Sequence, residues 1–480
     1  MKMLMTALAI ATVATACTPN QHQTQMNDLS GQMFGANGIA TPHIHVASMD
    51  GKPLAQAQIL IGDSLNAPFA GNFITTDSNG MAMLPAAWDS ALPVTVEAPG
   101  YMRVTYMNQE PGQLNFKLRP MATRTQYELR GTTPSLPIKD KDGWVDFGIV
   151  MPAFTKLGML NFGIDSVLSP LTDRITQMGQ DMDIPANIAL PKQSEKFALF
   201  TITLDKPLYR IYYEQPGVNR VFAARGRFPF KSTVDGLRGG AAFHDLLNNY
   251  TITSGSVRDF NTQSAVTNLD MNTTELVFNE KRNMGAPTFR ADEVFITVSV
   301  ANQSGNFIIA DFKRLKSSEK VALSVLPKSD QQLLGVLKKS DDMKNDVSRV
   351  STTLIPFANN ATPVMLPLIA DPQFSGADIL VPRLSPVQGI HALATYAVLS
   401  KEEDVTRGKD RLKVFNPQWE VYSQNWNDRL KVPQWPTDSK TSGKKRWEIN
   451  LVGSQSTSQA ATGPAMIEAA THVTNSAITF

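Results

Sequence analysis

Cys17 is the one thiol in a chain of 480 residues. A thiolate is a nucleophile and an acyl acceptor, and a lone one can form neither an internal disulfide nor a multi-thiolate metal site. The other residues with chemistry to offer are scattered. Asp140-Lys141-Asp142-Gly143-Trp144-Val145-Asp146 sets the acidic residues Asp140, Asp142 and Asp146 in a tight glycine turn and resembles a calcium loop, in which several carboxylate oxygens converge on the cation, but its spacing is incomplete. Lys141 opposes that charge, and a plain Asp-Gly hairpin accounts for the same letters. Trp419, Trp426, Trp435 and Trp447 are four of six tryptophans, gathered in one short stretch. They suit either a platform on which sugar rings or partner side chains stack, or a core. His43 and His45 share one face of a strand and read as half of a metal site or, with no Cys or further His near them in sequence, as a solvent-facing or domain-interface pair. Tyr209, Tyr212 and Tyr213 with Arg225 and Arg227 read as a polar aromatic face or as cross-strand packing.

Catalytic signatures with fixed spacing do not occur: there is no H-E-x-x-H, G-x-S-x-G elbow, Walker loop or dinucleotide glycine fingerprint. A triad using His244-Asp245, or a pair of glycosidase carboxylates, needs only spatial proximity and stays open. Lys+Arg number 45 against 43 Asp+Glu, without long runs of either sign, so no electrostatic footprint for nucleic acid is present.

Lys2 followed by the apolar run Met3 to Val13 and the small residues Ala14-Thr15-Ala16 forms an export signal over residues 1–16. Ala14-Thr15-Ala16-Cys17 resembles a lipobox, in which the cysteine is acylated and becomes the first mature residue. Ala14 stands where that motif usually has Leu, and A-x-A also suits ordinary signal peptidase; either enzyme leaves Cys17 first. The resemblance implies a lipoprotein, and with Thr18, not Asp, in the second mature position it implies the outer membrane, held through acyl chains. Residues 17–40, rich in Gln, Asn, Gly and Thr, read as a tether.

The elements beyond the tether are predicted to be mainly β. Hydrophobic residues make up 42% of the chain and charged ones 18%, a globular balance. Between His43 and Pro120 about seven short alternating runs are separated by turn pairs, Asp50-Gly51 and Asn79-Gly80 among them, which predicts a small antiparallel sandwich over 41–120. The elements Asp50-Gly51-Lys52-Pro53-Leu54 with Ala57, Thr75-Thr76-Asp77-Ser78-Asn79-Gly80, Ala98-Pro99-Gly100-Tyr101 and Leu118-Arg119-Pro120 resemble the carboxypeptidase regulatory-like (transthyretin-like) domain family. That family's members are mostly spacers in exported proteins, which implies a seven-stranded transthyretin-like sandwich with a scaffolding role.

Past Met121 the alternation continues in a larger sandwich-like region with few short helices. Strands are predicted over 143–150, 197–204, 209–213, 220–230, 293–301, 306–312, 320–326, 390–399 and 447–453. A helix is predicted from Ser169-Pro170 to Met178, with Leu171, Ile175 and Met178 on one stripe, and a shorter one over 241–248. The charged stretch 338–350 suggests an inter-lobe loop, dividing the region into lobes at 121–285 and 286–453 before a Ser/Thr/Ala-rich tail at 454–480. The expected function is a lipid-anchored envelope protein that binds or supports a partner protein or envelope glycan; the alternative is a surface-tethered hydrolase of polysaccharide or peptide. No cofactor is expected, calcium at the Asp140 loop being the one candidate.

Overall fold

The computed structural model describes residues 42–480 apart from 122–126, 140–143, 241–249, 341–348, 439–442, 457–462 and shorter stretches of one to three residues. The fold is mainly β, in several sheets, with a few short helices among the described residues. The first seven strands lie between His43 and Leu118 and form two layers. Met81–Met83, His43–Ser48 and Gln113–Leu118 make one sheet; Ile74–Thr75, Gln58–Ile61, Leu92–Glu97 and Arg103–Gln109 make the other. Alternation sends Ile44, Val46, Phe116 and Leu118 inward from the first layer and Ile59, Ile61, Val94, Val96 and Val104 from the second. His43 and His45 alternate with these and face away from the core. The turn at Asn79-Gly80 closes as its letters require. Asp77 accepts from the backbone of Asn79 and Met81, Gly80 has φ +72°, and a Cβ there would lie 2.4 Å from the carbonyl oxygen of Val46.

The second layer does not end with the sandwich. Strand Arg103–Gln109 continues, in parallel pairing, into Asp410–Gln424, with Trp419 beside Arg103 and Tyr422 beside Tyr106. From there the sheet runs through His391–Arg407, Lys445–Ser454, His472–Thr479, Val350–Pro356, Gln331–Ser340 and Glu293–Gln303 to Asn306–Leu315, 12 strands in all. The Ser/Thr/Ala-rich segment 454–480 therefore supplies an interior strand. Its small hydroxyl side chains fit because Thr474 donates to the carbonyl of Pro367 and Ser476 to Asp371.

Residues 127–285 form smaller sheets. Trp144–Pro152 and Val218–Pro229 pair over nine residue positions, from Trp144 beside Pro229 to Pro152 beside Val221. The predicted helix from Ser169 is corrected. Thr172–Gln177 is a strand, paired with Gln180–Pro185 in a hairpin. The Leu171, Ile175, Met178 stripe mimics helical spacing, but Thr172, Ile175 and Thr176 are β-branched and favour the strand. Ser169 uses its hydroxyl in a local turn, accepting from Leu171 N at 3.2 Å, and its own backbone N–H donates to Asn187. The predicted helix over 241–248 lies outside the described residues. A helix that the periodicity did not announce, Phe230–Arg238, follows the strand Val218–Pro229 directly.

Candidate functional site

Three adjacent strands of the large sheet, His391–Arg407, Asp410–Gln424 and Lys445–Ser454, carry the densest chemistry. Because side chains alternate, each register row belongs to one face. One row is Arg103, Trp419, Leu399, Trp447 and Ile478. The next row, on the opposite face, is Val104, Glu420, Val398, Glu448 and Ala477.

On the tryptophan face, the Arg103 guanidinium lies 4.5 Å from the ring centres of both Trp419 and Trp435. It also makes two hydrogen bonds to Asp438, at 2.7 and 3.0 Å, and one to Glu97 at 3.1 Å. A planar cation between two indoles keeps its edge donors free for carboxylates while its faces meet the rings, a geometry lysine cannot reproduce. Trp419 donates through Nε1 to Thr105 at 2.9 Å and packs 5.8 Å from Trp447; Phe73 of the sandwich lies 4.7 Å from Trp435. Over this face the hairpin 373–380 and strand Arg429–Lys431 form a lid of three short strands. A Lys431–Asp63 ion pair and a Gln434 N–H to Asp63 carbonyl bond fix the lid to the sandwich. Between lid and sheet lies a pocket of about 650 Å³ walled by Trp419, Trp435, Trp447, Leu399 and Val432. Phe374 and Phe480 meet edge to face at its mouth and are 41% and 52% exposed.

The four tryptophans are thus not an open platform. Trp419, Trp435 and Trp447 are buried pocket walls, and Trp426, outside the pocket lining, sets its Nε1–H on the carbonyl of Val452. Trp426 is half-buried at the edge of the cluster that holds Trp419 and Trp447. The same periodicity fits core and platform alike, so spacing could not separate these roles.

The opposite face is built around Glu420, whose carboxylate is 2% exposed. Arg119, the residue that closes the sandwich, reaches it at 3.3 Å, and the hydroxyls of Tyr396 and Tyr422 donate to it at 2.7 and 3.2 Å. Burial, with the Glu420 charge adding to it, holds both phenols well above their usual range, so they stay protonated donors. Burial works against the Arg119 charge, but Glu420 and its neighbours more than offset it, and the guanidinium is held above its ordinary value. Glu448 stands two strands from Glu420, roughly 10 Å away at Cα, and pairs with Arg446 at 3.8 Å. The segment after strand Trp144–Pro152 lies over this face. Thr155 caps the helix Lys156–Leu160 by accepting from Gly158 N at 3.1 Å, and Asn161 to Ser166 follow. Sheet and segment enclose a cleft of about 810 Å³. Sequence reasoning missed this network; its one signal is a glutamate set between Trp419 and Val421.

The remaining candidates fall elsewhere. Asp146 is buried, with Arg225 at 2.6 Å from one oxygen and Arg227 at 3.1 Å from the other, so both oxygens of this carboxylate are taken by guanidinium groups and not turned to a metal ion. Asp140 and Asp142 lie outside the described residues, as do His244-Asp245 and Cys17. Among the described residues no group of three or more His, Cys, Asp or Glu is placed to hold a metal ion. Tyr209 and Tyr213 are buried in a cluster with Leu129 and Ile211, apart from the two arginines, which answers the polar-face expectation with packing. No helix among the described residues is long and apolar enough to cross a membrane.

No family model matches the chain, and no curated protein matches it. Among solved structures it is similar to the Bacillus anthracis TIE protein, at 10% identity over 67% of this chain and 48% of that one, with a TM-score of 0.16. This chain therefore spans about half the length of that protein. A tetra-tandem repeat from the extending region of a large adhesion protein also aligns, at 10% identity over 85% and 90% of the two chains, with a TM-score of 0.11. Superpositions this loose carry no argument.

Proposed function

We propose that this chain is a lipid-anchored protein of the bacterial outer membrane that holds a partner protein or envelope polymer, with the sandwich at 43–118 acting as a carboxypeptidase regulatory-like scaffold. The lone thiol at Cys17 behind an export signal supports the anchor, and the seven strands in two layers support the scaffold. The observation that carries the binding role is the aromatic pocket. Three indole walls behind two exposed phenylalanines form the apolar, low-entropy surface on which partner side chains or sugar rings are anchored. Hydrolysis has less support, since Glu420, the most buried carboxylate of the opposite cleft, is fully engaged by Arg119, Tyr396 and Tyr422.

Two measurements test this reading. Acyl labelling with membrane fractionation compares wild type with Cys17→Ala, and the variant should lose both label and firm outer-membrane association; equal labelling rejects the anchor. A photoreactive phenylalanine analogue at Phe374, irradiated in intact cells, should give a discrete adduct that weakens with Phe480→Ala. Absence of any adduct rejects the pocket as the contact.

A further inference from the structure

The cleft on the glutamate face has a composition unlike that of the pocket behind it. Four charged side chains line it, Arg119, Glu420, Arg446 and Glu448, and they are paired as Arg119–Glu420 at 3.3 Å and Arg446–Glu448 at 3.8 Å. Its wall is therefore polar but balanced, and it offers no surplus charge to a phosphate or a polyanion. Between the ion pairs stand the amides of Asn161, Asn416 and Asn475 and the rings of Phe162 and Phe415. Asn161 Oδ1, Asn416 Oδ1 and Arg446 Nε have no hydrogen-bond partner among the described residues. Shielded polar atoms without partners are costly, and these are two acceptors and one donor. These atoms have almost no exposed surface, so a ligand meets the half-buried amides of Asn161, Asn416 and Asn475 around them, which both donate and accept as a hydroxyl does.

The cleft floor is the face of strands His391–Arg407 and Lys445–Ser454, and each of these is paired on both edges, so neither offers an open ladder for strand addition. Recognition on this floor uses side chains. Neutral charge, paired acids and bases, amides and the half-buried Phe415 ring together match a sugar, whose hydroxyls take the polar groups and whose apolar ring face lies on Phe415.

We propose that this cleft, formed by Arg119, Asn161, Asn416, Arg446 and Glu448 over the sheet, is a binding site for an uncharged oligosaccharide. The site is separate from the tryptophan pocket and does not rest on what that pocket holds.

The test uses the full chain in a non-glycosidic detergent, with calorimetry and ligand-observed NMR against maltohexaose, cellohexaose and tetra-N-acetylchitotetraose, and inorganic phosphate as the anionic comparison. At least one neutral oligosaccharide should bind, and phosphate should not. Asn161→Ala combined with Asn416→Ala should weaken that binding at least about tenfold. Gly163 lines the cleft, and a Cβ there meets nothing within 4 Å, so Gly163→Phe fills the space without disturbing the fold and should abolish binding with an unchanged melting curve. The proposal is overturned if no neutral probe binds at millimolar concentration, if phosphate binds as well as they do, or if binding survives Gly163→Phe in a folded protein.

Discussion

The strands His391–Arg407, Asp410–Gln424 and Lys445–Ser454 present unlike chemistry to their two sides. One side buries tryptophans around a cation, and the other buries a carboxylate among tyrosines and a guanidinium. Both sides are closed by an arginine from the same small sandwich, Arg103 in one case and Arg119 in the other. The ions differ in how much water they keep. Arg103 is 8% exposed, but its acidic partners Glu97 and Asp438 are each 34% exposed; at the other site the acid is the buried partner, Glu420 at 2%, and Arg119 keeps 30%. A period of two lets one sheet floor two recesses of different character, and it makes register decisive, since a slip of one residue would exchange them.

The largest effect should come from removing the buried acid. Glu420→Ala leaves the part-buried Arg119 and two buried tyrosine hydroxyls without their acceptor and should cost about 4 kcal/mol in urea unfolding, with Glu420→Gln recovering part of it. A loss no greater than that of Arg103→Met would erase the contrast between the faces.

Acid should weaken the tryptophan face through His472, which lies on that side of the sheet and is fully buried. Its Nε2 meets the carbonyl of Val364 at 3.1 Å and its Nδ1 meets the Thr471 hydroxyl at 2.7 Å. Burial lowers its pKa from 6.5 to about 4. Between those values the unfolded chain binds the proton and the folded one does not, so stability falls as pH drops from 6.5 toward 4, and this loss stops below that range. The total from this group should be about 3 kcal/mol, read as the difference in pH slope between wild type and His472→Asn. Identical slopes would remove His472 from the account.

Arg103→Met keeps bulk between the indoles but forfeits the cation, while Glu97 and Asp438 can rehydrate; a destabilisation of about 2 kcal/mol is expected in the same unfolding assay. The smallest effect belongs to Phe374→Ser at the pocket mouth, within about 0.5 kcal/mol of wild type because the ring sits on the exposed rim and not in the core. A larger loss would make Phe374 part of the core and remove it from the binding surface.

Much of this architecture is legible in local letters. Asp50-Gly51 and Asn79-Gly80 between alternating runs mark the seven-stranded sandwich, and Trp419-Glu420-Val421-Tyr422 alternates as a strand must. What local letters lack is the neighbour. That Trp419 lies beside Arg103, or that Arg119 ends at Glu420, depends on contacts across some three hundred residues, and periodicity is silent on these. The same limit misleads at Asp146, where acidic letters in a turn suggest a cation loop. Arg225 and Arg227, two apart on a strand, are the partners, and their spacing signals an ion triad only once the strands are known to pair. At 169–178 the error is local, since three apolar residues at helical intervals outweighed the β-branched residues between them.

The parallel pairing of residues 103–106 with 419–422 also sets an order of assembly. The sandwich is made of contacts within one short stretch of chain and can form early, whereas its companion strand is separated from it by a long loop whose closure is slow. In the interval Arg103–Gln109 is a bare edge, open to pairing with any strand that drifts past. Arg103 is then a charge on that edge that discourages stray partners. Once Trp419 and Trp435 arrive, the same side chain changes office, from sentry to bolt.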